Sequence, residues 1–450
     1  MSEFRLELKN ITKVFPGVKA LDRVSFQLLP GEIHAIMGEN GAGKSTFIKV
    51  ITGVHQPDEG SVFMDGRKVE FKTPLDAQRH GIAAIYQHVT SYPHLSVAEN
   101  IFMGHECVKG GLLQWKEMNR RAEELLRPLG VSFSATALMS SLSVAQQQMV
   151  EIAKALSMNA NIIIMDEPTA ALTKSESEEL YRITEALRDE GTSIIFISHR
   201  LEDMYRLASR VTVFRDAHYI GTFDAATITE PELIKAMVGR EIKELFPKPS
   251  IVPGEEVLQV EGLSHAGYFK DVSLNVRRGE IVGLTGLVGA GRTEVVQTLF
   301  GVERYDAGKI FLEGKPVSIK KPQDAMRLGI GLLTEDRQQQ GLLLDWGIGR
   351  NITLSELKRY AKYGVLFESE ENADAKRLAE RVDVRAVSIF DACSSLSGGN
   401  QQKVVVAKAL NSSLKVLIMD EPTKGVDVGA KAAVYEIMGE LAEAGLAVIM

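Results

Sequence analysis

Gly38-Glu39-Asn40-Gly41-Ala42-Gly43-Lys44-Ser45 sets three glycines, a lysine and a hydroxyl at the spacing of a P-loop. It follows an apolar strand-like run and opens a helical segment, predicted from Thr46 to Thr52 and closed by Gly53. Glycines there let backbone N–H groups close around phosphate oxygens with no Cβ in the way. The helix N-terminus adds partial positive charge. On this reading residues 38 to 46 cradle a nucleotide phosphate, with Lys44 reaching the β/γ-phosphates and Ser45 offering its hydroxyl to Mg²⁺. A second cluster, Asp166-Glu167, ends the apolar run Ile162-Ile163-Ile164-Met165. Asp166 there can hold the Mg²⁺ shell, and Glu167 can orient and deprotonate an attacking water. Taken alone, the pair would read equally well as a solvated cap on the next helix.

These groups need a scaffold, and the chain writes that scaffold twice. Gly31-Glu32-Ile33 recurs as Gly279-Glu280-Ile281, and Met165-Asp166-Glu167-Pro168-Thr169 as Met419-Asp420-Glu421-Pro422-Thr423. Leu142-Ser143 recurs as Leu396-Ser397, each followed by a Gln-Gln pair and Ala-Lys-Ala-Leu. The offset of about 250 residues is too long for a solenoid unit and implies a duplicated domain. Short apolar runs such as Ile162 to Met165 and Val416 to Met419 read as buried parallel strands, alternating with amphipathic helices. Strand-like alternation opens both halves, at Phe4, Leu6, Leu8 and at Val257 to Val260. The expected class is α/β: two tandem domains, each a mixed, mostly parallel sheet with a helical subdomain. The expected layout is a first domain over 1–246, a proline-rich linker over 247–254 and a second domain over 255–450.

Composition fits this. The chain has 450 residues, 25% charged and 45% hydrophobic, and a formal net charge of −7. That balance argues against a globally basic nucleic-acid surface. No run approaches the ~18 apolar residues of a membrane span, and the acidic start is unlike a signal peptide. Cys107 and Cys393 are too far apart for a metal-spacing motif.

The P-loop, the Leu-Ser segment and Asp-Glu-Pro-Thr after an apolar strand together resemble the ATP-binding-cassette ATPases, over nearly the whole chain. Two fused cassettes, with Phe15-Pro16-Gly17-Val18-Lys19-Ala20-Leu21 in front, look like the ATPase subunit of bacterial monosaccharide importers. The resemblance implies ATP and Mg²⁺ as cofactors and adds residues to the site. Phe15 matches the aromatic that stacks on adenine. Gln87 matches the Q-loop glutamine that touches Mg²⁺ and water, and His199 matches the switch histidine at the γ-phosphate. Ser397, Gly398 and Gly399 match the signature, and Asp427 the D-loop aspartate.

Cassettes of this family pair head to tail, so each ATP would lie between one half's P-loop and the other half's signature. The differences between the halves then sort by site. The first combines residues 38 to 46, Gln87, Asp166, Glu167 and His199 with Ser397, Gly399 and Asp427, all fitting the family pattern. The second combines Arg292, Thr293, Glu335, Asp420 and Glu421 with Ser143, Val144 and Thr173. Arg292 stands where the P-loop lysine belongs, and a planar guanidinium does not replace a compact ammonium. Glu335 at the second Q-loop adds negative charge, and Val144 and Ala145 replace the signature glycines. The expectation is one hydrolytic and one degenerate site.

The chain stops at Met450 within the strand matching Ser193 to Ile197, which reads as a truncated second domain. The resemblance further implies two integral-membrane permease subunits as partners and an external sugar-binding protein acting indirectly. It implies no sugar site on this chain, no nucleic acid, and a peripheral position on the cytoplasmic face of the bacterial plasma membrane. Tyr92 and Leu95, expected to be exposed, lie in the stretch resembling the permease-gripping region. The alternative is a soluble tandem cassette ATPase acting on ribosomes or nucleic acid.

Overall fold

The computed structural model describes residues 3–86, 91–170, 172–198, 200–240, 251–286, 289–424, 426 and 428–450. It divides into two compact units, Met1–Ile242 and Lys243–Met450. The linker expected over 247–254 is described only from Ile251. Ile251 to Gly254 carry no regular structure, and the Gly254 N–H donates to the Arg278 carbonyl at 2.8 Å.

In the first unit a six-stranded sheet runs His218–Asp224, Arg210–Arg215, Ile33–Met37, Ser193–Ile197, Ile162–Asp166, Ile82–Ile85. Every neighbouring pair is parallel except the first, which is antiparallel. The strands Ile33–Met37 and Ser193–Ile197 are buried at every residue. Such uninterrupted apolar runs are what a parallel sheet covered on both faces requires. One face meets a second sheet, wholly antiparallel, of Val18–Leu28, Leu6–Phe15, Glu59–Met64 and Arg67–Val69. The other face packs on helices including Val97–Phe102, Trp115–Leu126 and Val144–Ser157. The expected mixed sheet and helical subdomain are present. The separate antiparallel sheet adds to that expectation, since alternation at Leu6 and Leu8 marks a strand without naming its partners.

The second unit repeats the plan. An antiparallel sheet of Phe269–Arg277, Glu256–His265, Ala307–Leu312 and Lys315–Val317 stands beside a parallel one of Ile281–Val282, Ala447–Ile449, Val416–Met419 and Ile330–Leu333. The strand Ala447–Ile449 is buried and paired on both sides.

The P-loop helix spans Lys44–Ile51, starting two residues before the predicted Thr46. Gly43, at φ +101°, caps it, and the Phe47 N–H already bonds to the Gly43 carbonyl at 2.9 Å. The left-handed cap is open to glycine, so the helix starts on the lysine itself. Phe47 fixes this helix to both sheets: its ring lies edge-on to Phe26 at 5.2 Å and to Phe214 at 5.1 Å. Each such pair contributes about 0.5–1.5 kcal/mol beyond area burial. Phe47→Ala is expected to destabilise the first unit by about 3–5 kcal/mol, read as an earlier denaturant transition for that unit alone. An unshifted transition would show that the helix is held elsewhere.

Candidate functional site

Two P-loop glycines are dictated by packing. A Cβ on Gly38 would stand 2.2 Å from the Phe214 carbonyl oxygen, and one on Gly43 2.5 Å from that of Ala20. Gly41 has open space around it but sits at φ +86°, where L side chains are strained. The loop therefore wraps tightly at its ends and presents bare backbone in the middle. Lys44 is buried, and its ammonium donates to the carbonyls of Gly38 at 2.7 Å and Glu39 at 2.9 Å. Ser45 is exposed in the first helical turn beside it.

The strand Ile162–Asp166 lies between Ser193–Ile197 and the edge strand Ile82–Ile85, so Asp166 emerges at a parallel-strand end one strand in from the sheet edge. Ligands of open α/β sheets gather at such ends. Burial, with the Glu167 charge adding to it, pushes the Asp166 carboxyl up to about 6, while Lys44 opposes the shift. Glu167 has φ +48°, and its counterpart Glu421 has φ +43°. A non-glycine residue in that region is uncommon. The Glu167 N–H bonds to the Ile197 carbonyl at 2.8 Å, which anchors the kink to the neighbouring strand. Phe15, half-buried at the end of its hairpin strand, meets His55 edge-on at 5.2 Å, and the Lys13 ammonium lies 5.6 Å from its ring centre. Gln87, His199 and Asp427 lie outside the described residues.

The second unit resolves the same positions differently. The Arg292 guanidinium donates to the Glu421 carboxylate at 3.3 Å, where Lys44 bonds to its own loop's carbonyls. The P-loop cation here engages the residue matching Glu167. Burial raises the Asp420 carboxyl, against a hydrogen bond from Thr293 and with Glu335 and Glu421 adding to the rise. Glu335, expected as added negative charge, is ion-paired with Lys424, so that charge is locally balanced. The expectation missed this because Lys424 is 89 residues away in sequence.

The two signatures also differ. Ser143 caps Val144–Ser157, and the Gln146 side chain returns to the Ser143 N–H at 3.0 Å, a capping box that closes the helix start. Val144 projects there 48% exposed. Ser397 caps Gly398–Leu410, and Asn400 turns its carbonyl instead to the Arg385 N–H at 2.8 Å. Thr173 caps Lys174–Asp189 through a box with Glu176.

Tyr92 is exposed as expected, but Leu95 is only half-exposed, a correction. The sequence reading passed over Asn100, which is buried and ties that loop down. Its side chain accepts from the Tyr92 N–H at 2.8 Å and donates to the Ser96 carbonyl at 2.9 Å. Asn351 does the same for Leu343 and Gly347 in the second unit. The repeat was the available signal, since both asparagines sit at matching places in it.

Two outcomes follow. Gly43→Ala is expected to abolish ATP binding at the first P-loop, read by titration with a fluorescent nucleotide, because the added Cβ meets backbone. Asp166 titrates in the folded protein near 6, above the ordinary carboxylate value. Its stabilising contribution is therefore full below about 3.9 and lost as pH rises through about 6. Nucleotide-free Asp166→Asn should resist denaturant better than the parent at pH 8, with the gap closing below pH 6. A gap independent of pH would contradict the assignment.

The family model described as ABC transporter matches residues 21–170 and again 269–424. A ribose import ATP-binding protein of Agrobacterium fabrum is 46% identical over 99% of this chain and 88% of its own length. One from Rhodococcus jostii is 48% identical over 99% of this chain and 89% of its own, and one from Bacillus subtilis 46% over 99% and 91%. With both cassettes matched in one polypeptide, this chain belongs to the ABC transporter family.

Proposed function

We propose that this chain is the ATP-hydrolysing subunit of a monosaccharide importer, with hydrolysis confined to the site built on the first P-loop. One observation carries the reading: the Lys44 ammonium donates to its own loop's carbonyls, whereas the Arg292 guanidinium in the second P-loop is bonded to Glu421. The similarity to ribose import ATP-binding proteins over almost the whole chain favours the importer over action on ribosomes or nucleic acid.

ATP supplies the phosphoryl group whose transfer to water drives the cycle. Gly38 to Thr46 would hold its phosphates through backbone N–H groups and the Lys44 ammonium, and Phe15 its base. Mg²⁺ fits the donors present: Ser45, Gln87 and Asp166 are the hard oxygens such a cation prefers. Burial, with the Glu167 charge beside it, raises the Asp166 carboxyl, a cost of ionisation that a bound cation would relieve. Glu167 would take the proton of the attacking water, with His199 at the γ-phosphate. Ser397, Gly398, Gly399 and Asp427 would supply the signature and D-loop contacts to nucleotide. Closure with ATP and reopening after hydrolysis would move a membrane permease, because nucleotide favours the closed state.

No helix among the described residues is long and apolar enough to cross a membrane. Its similarity to import ATP-binding proteins favours a peripheral place at the cytoplasmic face, on two permease subunits fed by an external sugar-binding protein. Tyr92, exposed on its loop, suits that contact.

Lys44→Ala and Glu167→Gln are each expected to lower ATP turnover of the full chain by about 10³-fold or more. Arg292→Ala is expected to retain much of it. Equal losses from the two P-loop changes would refute the asymmetry. Reconstituted vesicles assayed against pentoses and hexoses would identify the sugar, and co-purification with ribosomal RNA in place of permease chains would overturn the importer reading.

A further inference from the structure

Behind the first site lies a carboxylate that the proposed chemistry does not use. Asp203, in the helix Leu201–Leu207, is fully buried. It accepts three hydroxyl hydrogen bonds: from Thr169 at 2.5 Å, from Ser198 at 2.7 Å and from Tyr181. The donors come from three different places. Thr169 lies in the turn carrying Asp166 and Glu167, Ser198 follows the strand Ser193–Ile197, and Tyr181 is on the helix Lys174–Asp189. Arg200 adds two ties, its N–H to the Ser198 hydroxyl at 3.0 Å and its guanidinium to the Thr169 carbonyl at 3.4 Å.

We infer that Asp203 is a positioning residue for hydrolysis: its carboxylate locks the turn at Glu167 to Thr169 onto Ser198, at the end of the strand Ser193–Ile197. A buried charge persists only when its hydrogen bonds are supplied, so the hydroxyls cannot drift without cost. The Glu167 N–H already bonds to the Ile197 carbonyl, and Asp203 closes the same two segments from behind. Together they fix where the left-handed Glu167 points. The inference rests on the assignment of hydrolysis to this cassette.

The test uses the full chain, with kcat and KM for ATP measured for Asp203→Asn, Thr169→Val and Thr169→Ser beside Lys44→Ala. Asp203→Asn is expected to lower kcat about tenfold or more, and Thr169→Val several-fold, with KM within about twofold, because orientation rather than binding is lost. Thr169→Ser, which restores the hydroxyl but not the methyl, should recover most of the Thr169→Val loss. Packing alone would reverse that order, since valine keeps the shape and serine does not, and the reversed order would overturn the inference. If Asp203→Asn fails to fold, the Thr169 pair still decides. Parent-like kcat in Thr169→Val with Lys44→Ala inactive would overturn this inference alone. Turnover surviving in Lys44→Ala would instead overturn the first-site assignment beneath it.

Discussion

The P-loop cation takes a different partner in each half of this protein. In the first unit the Lys44 ammonium lies within its own loop, on the Gly38 and Glu39 carbonyls. A compact ammonium on a flexible stem can exchange those carbonyls for phosphate oxygens. In the second unit a longer, planar guanidinium reaches Glu421 instead. Both groups of that pair are partly exposed, so the bond adds little stability. What it does is engage the residue matching Glu167.

Both arrangements depend on the fold delivering a cation and two carboxylates to one end of a parallel sheet. The strand Ile33–Met37 feeds the P-loop, and Ile162–Asp166 ends in the acidic pair, with Ser193–Ile197 between them. Close packing beneath the loop leaves Gly38 and Gly43 no room for a side chain. The positive φ of Glu167 and Glu421 turns the chain as it leaves the sheet, and its occurrence in both units marks it as a property of the architecture. Strain of this kind is tolerated where surrounding contacts over-determine the backbone. In the first unit the Asp203 hub and the Glu167–Ile197 bond are such contacts.

Much of this was legible in residue order because the informative groups are close in sequence. A P-loop is eight consecutive residues, and the duplication, the buried strands and the acidic pair each appear as short runs. The signature contrast at Val144 was also legible as a type change at a repeated position, and the Gln146 capping box supplies its physical form. Contacts between distant segments were not legible. Glu335 reads as a bare charge in sequence yet lies against Lys424, and Leu95 reads as exposed yet is partly buried.

The sequence by itself determined that two cassettes follow one another, that the first carries a complete phosphate loop and acidic pair, and that the second carries an arginine and an altered Q-loop. These are statements of identity and local spacing, which side-chain chemistry and backbone sterics fix over a few residues. Tertiary structure alone decided that Arg292 bonds to Glu421, that Lys424 balances Glu335, and that Asp203 gathers Thr169, Tyr181 and Ser198. Each of these joins groups on separate strands and helices. Which hydroxyl or carboxylate a side chain meets depends on how the sheet orders its strands, and no periodicity within one segment encodes that order.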